Sequence, residues 1–155
     1  MDQSAKLAAL AKVGRALNAA KVTWAVGASL LLYFHGIADD FHDVDLMTTE
    51  ADVARVRELL LTLGTLAPPH PAAQYKTRHF LEFTIDGVEF DVMAGFVITC
   101  DGADHDCPFT PAHIDGYRAV DGVCVPLQRV SDWRGYYALM GRAGKVAMID
   151  RAARF

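Results

Sequence analysis

Leu7, Leu10, Val13 and Leu17 recur at helical spacing with alanine filling the gaps, which predicts a helix over residues 4–20. Thr23 to Val26 is a short apolar, partly β-branched run that reads as a strand ended by Gly27. Ser29 is placed to cap a short helix through about Phe34, which Gly36 closes. Asp43 to Met47 alternates polar and apolar, as a half-buried strand does. Val53, Val56, Leu59, Leu60 and Leu63 form the apolar stripe of a helix over 50–63, stopped by Gly64. Pro68, Pro69 and Pro71 make 65–75 a loop.

The clearest local pattern spans residues 80–93. Asp86-Gly87 is a favoured two-residue hairpin turn. It pairs Ile85 with Val88, Phe83 with Phe90 and Leu81 with Val92 on one apolar face. The opposite face pairs Thr84 with Glu89, Glu82 with Asp91 and Phe80 with Met93, and is largely acidic. Residues 101–113, rich in Asp, Pro, Gly and His, read as a loop. A second hairpin is expected around Asp121-Gly122, with arms 117–120 and 123–125. Ser131 then caps a helix carrying Val130, Trp133, Tyr137 and Met140, which Gly141 and Gly144 interrupt. A terminal helix over 145–153 follows. No internal repeat is visible, and the chain reads as one domain.

Composition narrows the function classes. The chain has 155 residues, 52% hydrophobic and 22% charged, which excludes disorder as the dominant state. A net charge of -4 gives no general attraction to nucleic acid. The first twenty residues are amphipathic rather than leader-like, and no apolar run reaches the roughly 18 residues of a membrane span. Cys100, Cys107 and Cys124 are too few, and odd in number, for a disulfide framework, so a cytoplasmic location is expected.

The candidate chemistry lies in carboxylates. Asp43 and Asp45 alternate along one strand, so both side chains share a face, with Cα atoms roughly 6–7 Å apart. Val44 and Leu46 take the opposite, core face. Asp91 lies on the acidic face of the 80–93 hairpin, opposite Glu82. Like charges facing each other across strands need solvent, a counter-charge or a cation, and oxygen ligands suit Mg²⁺. Taken singly, each acid also reads as a solvent-exposed strand residue. Gly27-Ala28-Ser29, between a strand and a helix, presents backbone N–H groups to a phosphate.

The pattern Val26-Gly27-Ala28-Ser29, thirteen residues, then Asp43-Val44-Asp45-Leu46, resembles the signature of the nucleotidyltransferase superfamily. Phe90-Asp91-Val92 resembles the setting of that family's third carboxylate. Ser131 through Arg142 and Lys145 is similar to the helical tail of its small bacterial members. The resemblance implies an α/β (α+β) fold, a mixed sheet with helices mainly on one face and a helical C-terminal tail. It implies that Asp43 and Asp45 hold Mg²⁺ or Mn²⁺ and the nucleotide phosphates. Asp91 would complete the site and help activate an acceptor hydroxyl, and Glu82 is a further metal-ligand candidate. Gly27, Ala28 and Ser29 would hold the triphosphate. His42, by its position just before the acid pair, is placed to touch phosphate and reads equally as a surface histidine. The activity implied is transfer of NMP from an NTP to a hydroxyl on a small molecule, a protein or an RNA end.

One departure stands out. Many active members carry a basic or small polar residue before the first aspartate, whereas this chain has Asp39 and Asp40. Compensating cations would be Lys76, Arg78, Arg142 and Lys145, which also read as ordinary surface charge. Two other readings stay open. One is a noncatalytic member binding a nucleotide or a partner, such as a toxin–antitoxin component. The other is a zinc-supported module using Cys100, His105, Cys107 and His113. The small size also leaves a homodimer or a small helical partner as a way to bind the acceptor. Trp133, Tyr136 and Tyr137 read as core or as a ligand shelf.

Overall fold

The computed structural model describes residues 2–69 and 76–153. In chain order the elements are α1 (Gln3–Ala19), β1 (Trp24–Gly27), α2 (Ala28–Phe34), β2 (Val44–Thr48), α3 (Val53–Leu61) and β3 (Thr65–Leu66). Then come β4 (His79–Ile85), β5 (Val88–Ala94), β6 (Phe96–Cys100), β7 (Ala103–Cys107) and a 3₁₀ turn, Pro111–His113. β8 (Ile114–Val120), β9 (Val123–Gln128), α4 (Val130–Leu139) and α5 (Ala143–Ala152) complete the chain.

Seven strands form one mixed sheet in the order β3-β4-β5-β2-β1-β9-β8. β2 runs parallel to β5 and antiparallel to β1, and β1 runs parallel to β9. The Asp86-Gly87 hairpin has the register expected from the sequence, from Ile85 opposite Val88 to Phe80 opposite Met93. Asp86 and Gly87 take φ of 51° and 77°, the left-handed pair a two-residue turn requires.

Alternation sorts the sheet into two faces. Val26, Val44, Leu46, Phe83, Ile85, Phe90 and Val92 are buried on one side. α1 covers that side, with its Gly14 against Trp24 and Val123, and α3 adds Val56 and Leu60 to the same core. The C-terminal α4 comes over the opposite side, where Trp133 lies against Gly27. The α/β class, the mixed sheet and the helical tail are therefore as expected.

Several boundaries differ. α3 starts at Val53 rather than near 50: a turn in which the Asp52 N–H donates to the Thr49 carbonyl at 3.1 Å precedes it, and the Asp52 carboxylate accepts from the Thr23 backbone N–H at 2.8 Å. Ser131 lies inside α4, and Arg129 stands at the cap position. Part of the proline-rich loop holds β3; residues 70–75, Pro71 among them, lie outside the described residues. The largest correction concerns 101–113. Asp101-Gly102 is a third two-residue turn, with φ of 53° and 76°, and β7 follows it as half of a separate two-stranded sheet with β6.

Candidate active site

The site starts where β1 becomes α2. Gly27 is extended, with φ of -127° and ψ of -170°, and occupies the cap position of the helix. Ala28 opens α2 with φ of 52°, a left-handed conformation that costs a non-glycine residue about 1 kcal/mol. Ser29, expected as the cap, lies one residue into α2, and its Oγ accepts from Lys145 Nζ at 3.4 Å. Burial, and then the neighbouring Arg142, lower the Lys145 pKa. Lys145 and Arg142 both lie over the Tyr137 ring, 5.9 and 5.5 Å from its centroid.

The acids form a row across three strands, continued by Gly27 on a fourth. Gly27 pairs with Asp45 between β1 and β2, Asp45 with Asp91 between β2 and β5, and Asp91 with Glu82 between β5 and β4. Neighbouring strands are about 4.8 Å apart, so the carboxylates of Asp45 and Asp91 stand side by side on one face. Asp43 precedes β2 on that face. Burial, and then the charges of Asp91 and Asp43, push the Asp45 carboxyl up to about 8. Burial, then Asp43, Glu82 and Glu89, push Asp91 up to about 7. Both shifts arise because ionised oxygens are crowded together with little solvent.

Asp43, Asp45 and Asp91 line a cavity of about 310 Å³. Ala28, Ser29, His42 and Arg142 line the same cavity. The remaining wall is apolar, made by Phe80, Met93, Phe96, Trp133, Tyr137 and Met140. Trp133 and Tyr137 therefore act as both core and cavity wall. Trp133 Nε1 donates to Gln128 Oε1 at 2.9 Å, and Gln128 Nε2 donates to Tyr136 Oη and Asp132 at 3.2 Å each. Gln128 is fully buried, and this network fixes the indole over Gly27.

Not every expected residue joins the cavity. Gly27 lies beneath it and is kept small by Trp133: a Cβ at that position would meet the indole at 2.6 Å. Glu82 stands in the acid row but outside the cavity lining. Lys76 and Arg78 are absent from the lining. Lys76 pairs with Asp104 at 3.4 Å, and Arg78 with Asp106 at 3.1 Å and Glu50 at 3.8 Å, so these cations serve the β6–β7 hairpin. Asp40 is drawn toward α1, accepting from Gln3 Nε2 at 2.6 Å and from the Phe41 N–H at 2.8 Å, and lines a different groove.

The sequence reading placed Glu89 on the acidic face but gave it no role. The structure hydrogen-bonds it to Asp43, which raises the Glu89 pKa. Its position two residues before Asp91 on an alternating strand was the available signal. The zinc reading is not supported. Cys100 and Cys107 pair with Ala103 and Phe96, at opposite ends of the β6–β7 hairpin. His113 Nδ1 accepts from the Thr110 N–H at 3.0 Å. Burial, and then the charges of Asp106 and Asp132, push the Cys107 thiol up to about 11.

The donor chemistry at the acid row fits a hard divalent cation. The groups are oxygen ligands that share a face, and their mutual repulsion would be relieved by positive charge. Among the described residues, no three His, Cys, Asp or Glu side chains already converge as a metal cluster.

Neither the protein-family models nor the curated protein sequences match the chain. Solved structures do. A candidate nucleotidyltransferase from Thermotoga maritima superposes with a TM-score of 0.76 at 22% identity, covering 97% of this chain and 94% of that one. The crystal structure of ANT(2'')-Ia with adenylyl-2''-tobramycin gives 0.58 at 12% identity, covering 86% and 76%. The solution structure of the antibiotic-resistance factor ANT(2'')-Ia gives 0.60 at 14%, covering 89% and 74%. Each likeness extends along most of both chains. The chain therefore shares the fold of these nucleotidyltransferase structures.

Proposed function

We propose that this protein transfers a nucleotidyl group from an NTP to a hydroxyl acceptor, with Mg²⁺ or Mn²⁺ held by Asp43, Asp45 and Asp91. The observation that carries this reading is the alignment of Asp45 and Asp91 on adjacent strands, in one cavity with Ser29. When bound, the cation would offset phosphate charge and stabilise the leaving oxygen. Ser29 with Lys145 and Arg142 would receive the leaving pyrophosphate. Asp91 would accept the acceptor hydroxyl's proton as its oxygen bonds to the α-phosphorus. The bond from that phosphorus to the pyrophosphate oxygen breaks, and the electron pair leaves with pyrophosphate. The ANT(2'')-Ia structure holds adenylyl-2''-tobramycin, the type of product this reading expects. Among the described residues no helix is long and apolar enough to cross a membrane, so the reading places no part of the site in lipid.

Incubation with α-labelled ATP, GTP, CTP or UTP and cell extract should label an acceptor. Asp91→Asn should lower that labelling on the order of 100-fold or more. Absence of labelling with all four nucleotides would favour a noncatalytic, ligand-binding role.

A further inference from the structure

We propose that Gln128 is a positioning residue for the nucleotide: acting through Trp133, it braces the β1–α2 turn that carries Ser29, and so sets the affinity for the triphosphate without touching it. This rests on the proposed nucleotidyl transfer and assigns a residue to its leaving-group end.

The register places Gln128 in line with the acid row. Leu127 on β9 stands beside Val26 on β1, so the next step along these parallel strands brings Gln128 beside Gly27. Val26 is buried on the α1 side, so by alternation Gly27 and Gln128 present the other face, that of Asp45 and Asp91. Across β9, β1, β2 and β5 the row therefore reads Gln128, Gly27, Asp45, Asp91. Gly27 is the member without a side chain, and the Trp133 indole fills the space above it: Cε2, Cζ2 and Nε1 each lie 2.6 Å from where a Cβ would stand.

The Gln128 amide is oriented by groups that each allow one role. Trp133 Nε1 only donates, and it meets Oε1 at 2.9 Å. The Asp132 carboxylate only accepts, and it meets Nε2 at 3.2 Å. The other Asp132 oxygen is held by Arg129 at 2.9 Å. Gln128 itself is fully buried and is absent from the cavity lining among the described residues. With an apolar residue in its place, the buried indole N–H would lose its acceptor, at a desolvation cost. The cavity that Trp133 also lines offers water to that N–H. The ring would then turn off Gly27 toward the cavity, and the turn would lose its brace.

The acids do not share this dependence. Asp45 and Asp91 are aligned by the backbone pairing of β2 with β5, and Glu89 is bonded to Asp43. Loss of Gln128 therefore separates two affinities that a general loosening of the fold would lower together.

Calorimetry on the whole protein measures the two separately. One probe is Mn²⁺ alone; the other is magnesium tripolyphosphate, which carries the triphosphate charge and no base. Gln128→Met should weaken tripolyphosphate about tenfold and change Mn²⁺ affinity by less than about twofold. Gln128→Glu should also weaken tripolyphosphate, since it sets a carboxylate against Asp132. Adding Asp132→Asn to it should restore most of the affinity, because the asparagine amide then donates where the carboxylate accepted and the net charge is that of the wild type. If Gln128→Met does not fold, the recovery from Gln128→Glu to the paired variant decides. Equal tripolyphosphate affinity in Gln128→Met and wild type, a parallel loss of Mn²⁺ affinity, or no recovery in the paired variant overturns the role while nucleotidyl transfer stands. Absence of tripolyphosphate binding by the wild type would instead remove the nucleotidyl reading itself.

Discussion

Asp45→Asn is expected to make the metal-free protein more stable at pH 8 while destroying its cation site. The Asp45 carboxyl is raised to about 8 in the folded chain, from an ordinary value of 3.8. Between those values it is protonated when folded and ionised when unfolded. The unfolded state therefore binds fewer protons, and stability falls as pH rises from about 4 to about 8. Asp91, raised to about 7, adds a loss of the same sign that is complete slightly earlier. Asparagine never ionises, so it removes the Asp45 share of that loss and part of the field on Asp91. Each pKa unit corresponds to 1.36 kcal/mol, so the gain is on the order of a few kcal/mol at pH 8 and near zero below about pH 4. Urea unfolding in EDTA at pH 4.5 and pH 8 measures it. An equal difference between variant and wild type at both pH values would show that Asp45 ionises freely in the folded protein.

Gly27→Ala is the second large effect, and it acts through packing. The Gly27 φ of -127° suits any residue, so the substitution introduces no backbone strain. The added methyl would lie 2.6 Å from Cε2, Cζ2 and Nε1 of Trp133. The indole has little freedom to retreat, being buried, bonded to Gln128 at 2.9 Å and packed against Phe96. Either the ring moves and breaks the Gln128 network, or β1 shifts and separates Gly27 from Asp45. Overpacking and an unmade buried hydrogen bond together cost about 2–5 kcal/mol. The pair Gly27→Ala with Trp133→Leu should be less destabilised than the sum of the single changes, by about 1 kcal/mol or more. Strict additivity in that cycle would mean the methyl is accommodated without moving Trp133.

The sequence made the acid row legible because local patterns determine it. Alternation put Asp43 and Asp45 on one face, and the Asp86-Gly87 turn fixed a register that placed Asp91 opposite Glu82. Only the pairing of β2 with β5 was non-local, and it brought Asp45 beside Asp91 as the resemblance implied. The β6–β7 hairpin was missed although Asp101-Gly102 has the same turn chemistry as the other two. Its second arm, Ala-Asp-His-Asp-Cys, is mostly exposed and lacks the apolar alternation that marks a half-buried strand. Charge alone makes Lys76 and Arg78 candidates for binding phosphate, beside their reading as ordinary surface charge. Their partners Asp104 and Asp106 lie on that hairpin, so without its second arm nothing in the sequence signals that both cations are engaged. Ser29 and Ser131 lie inside their helices because a cap is defined by backbone angles that residue type alone does not specify.

Calorimetric titration of Mn²⁺ into the wild type, Asp43→Asn and Asp45→Asn at pH 8 tests the central claim most directly. Aligned carboxylates that form one cation site predict saturable binding to the wild type and loss of most of that affinity in each variant. Binding of equal strength in all three proteins would contradict the site.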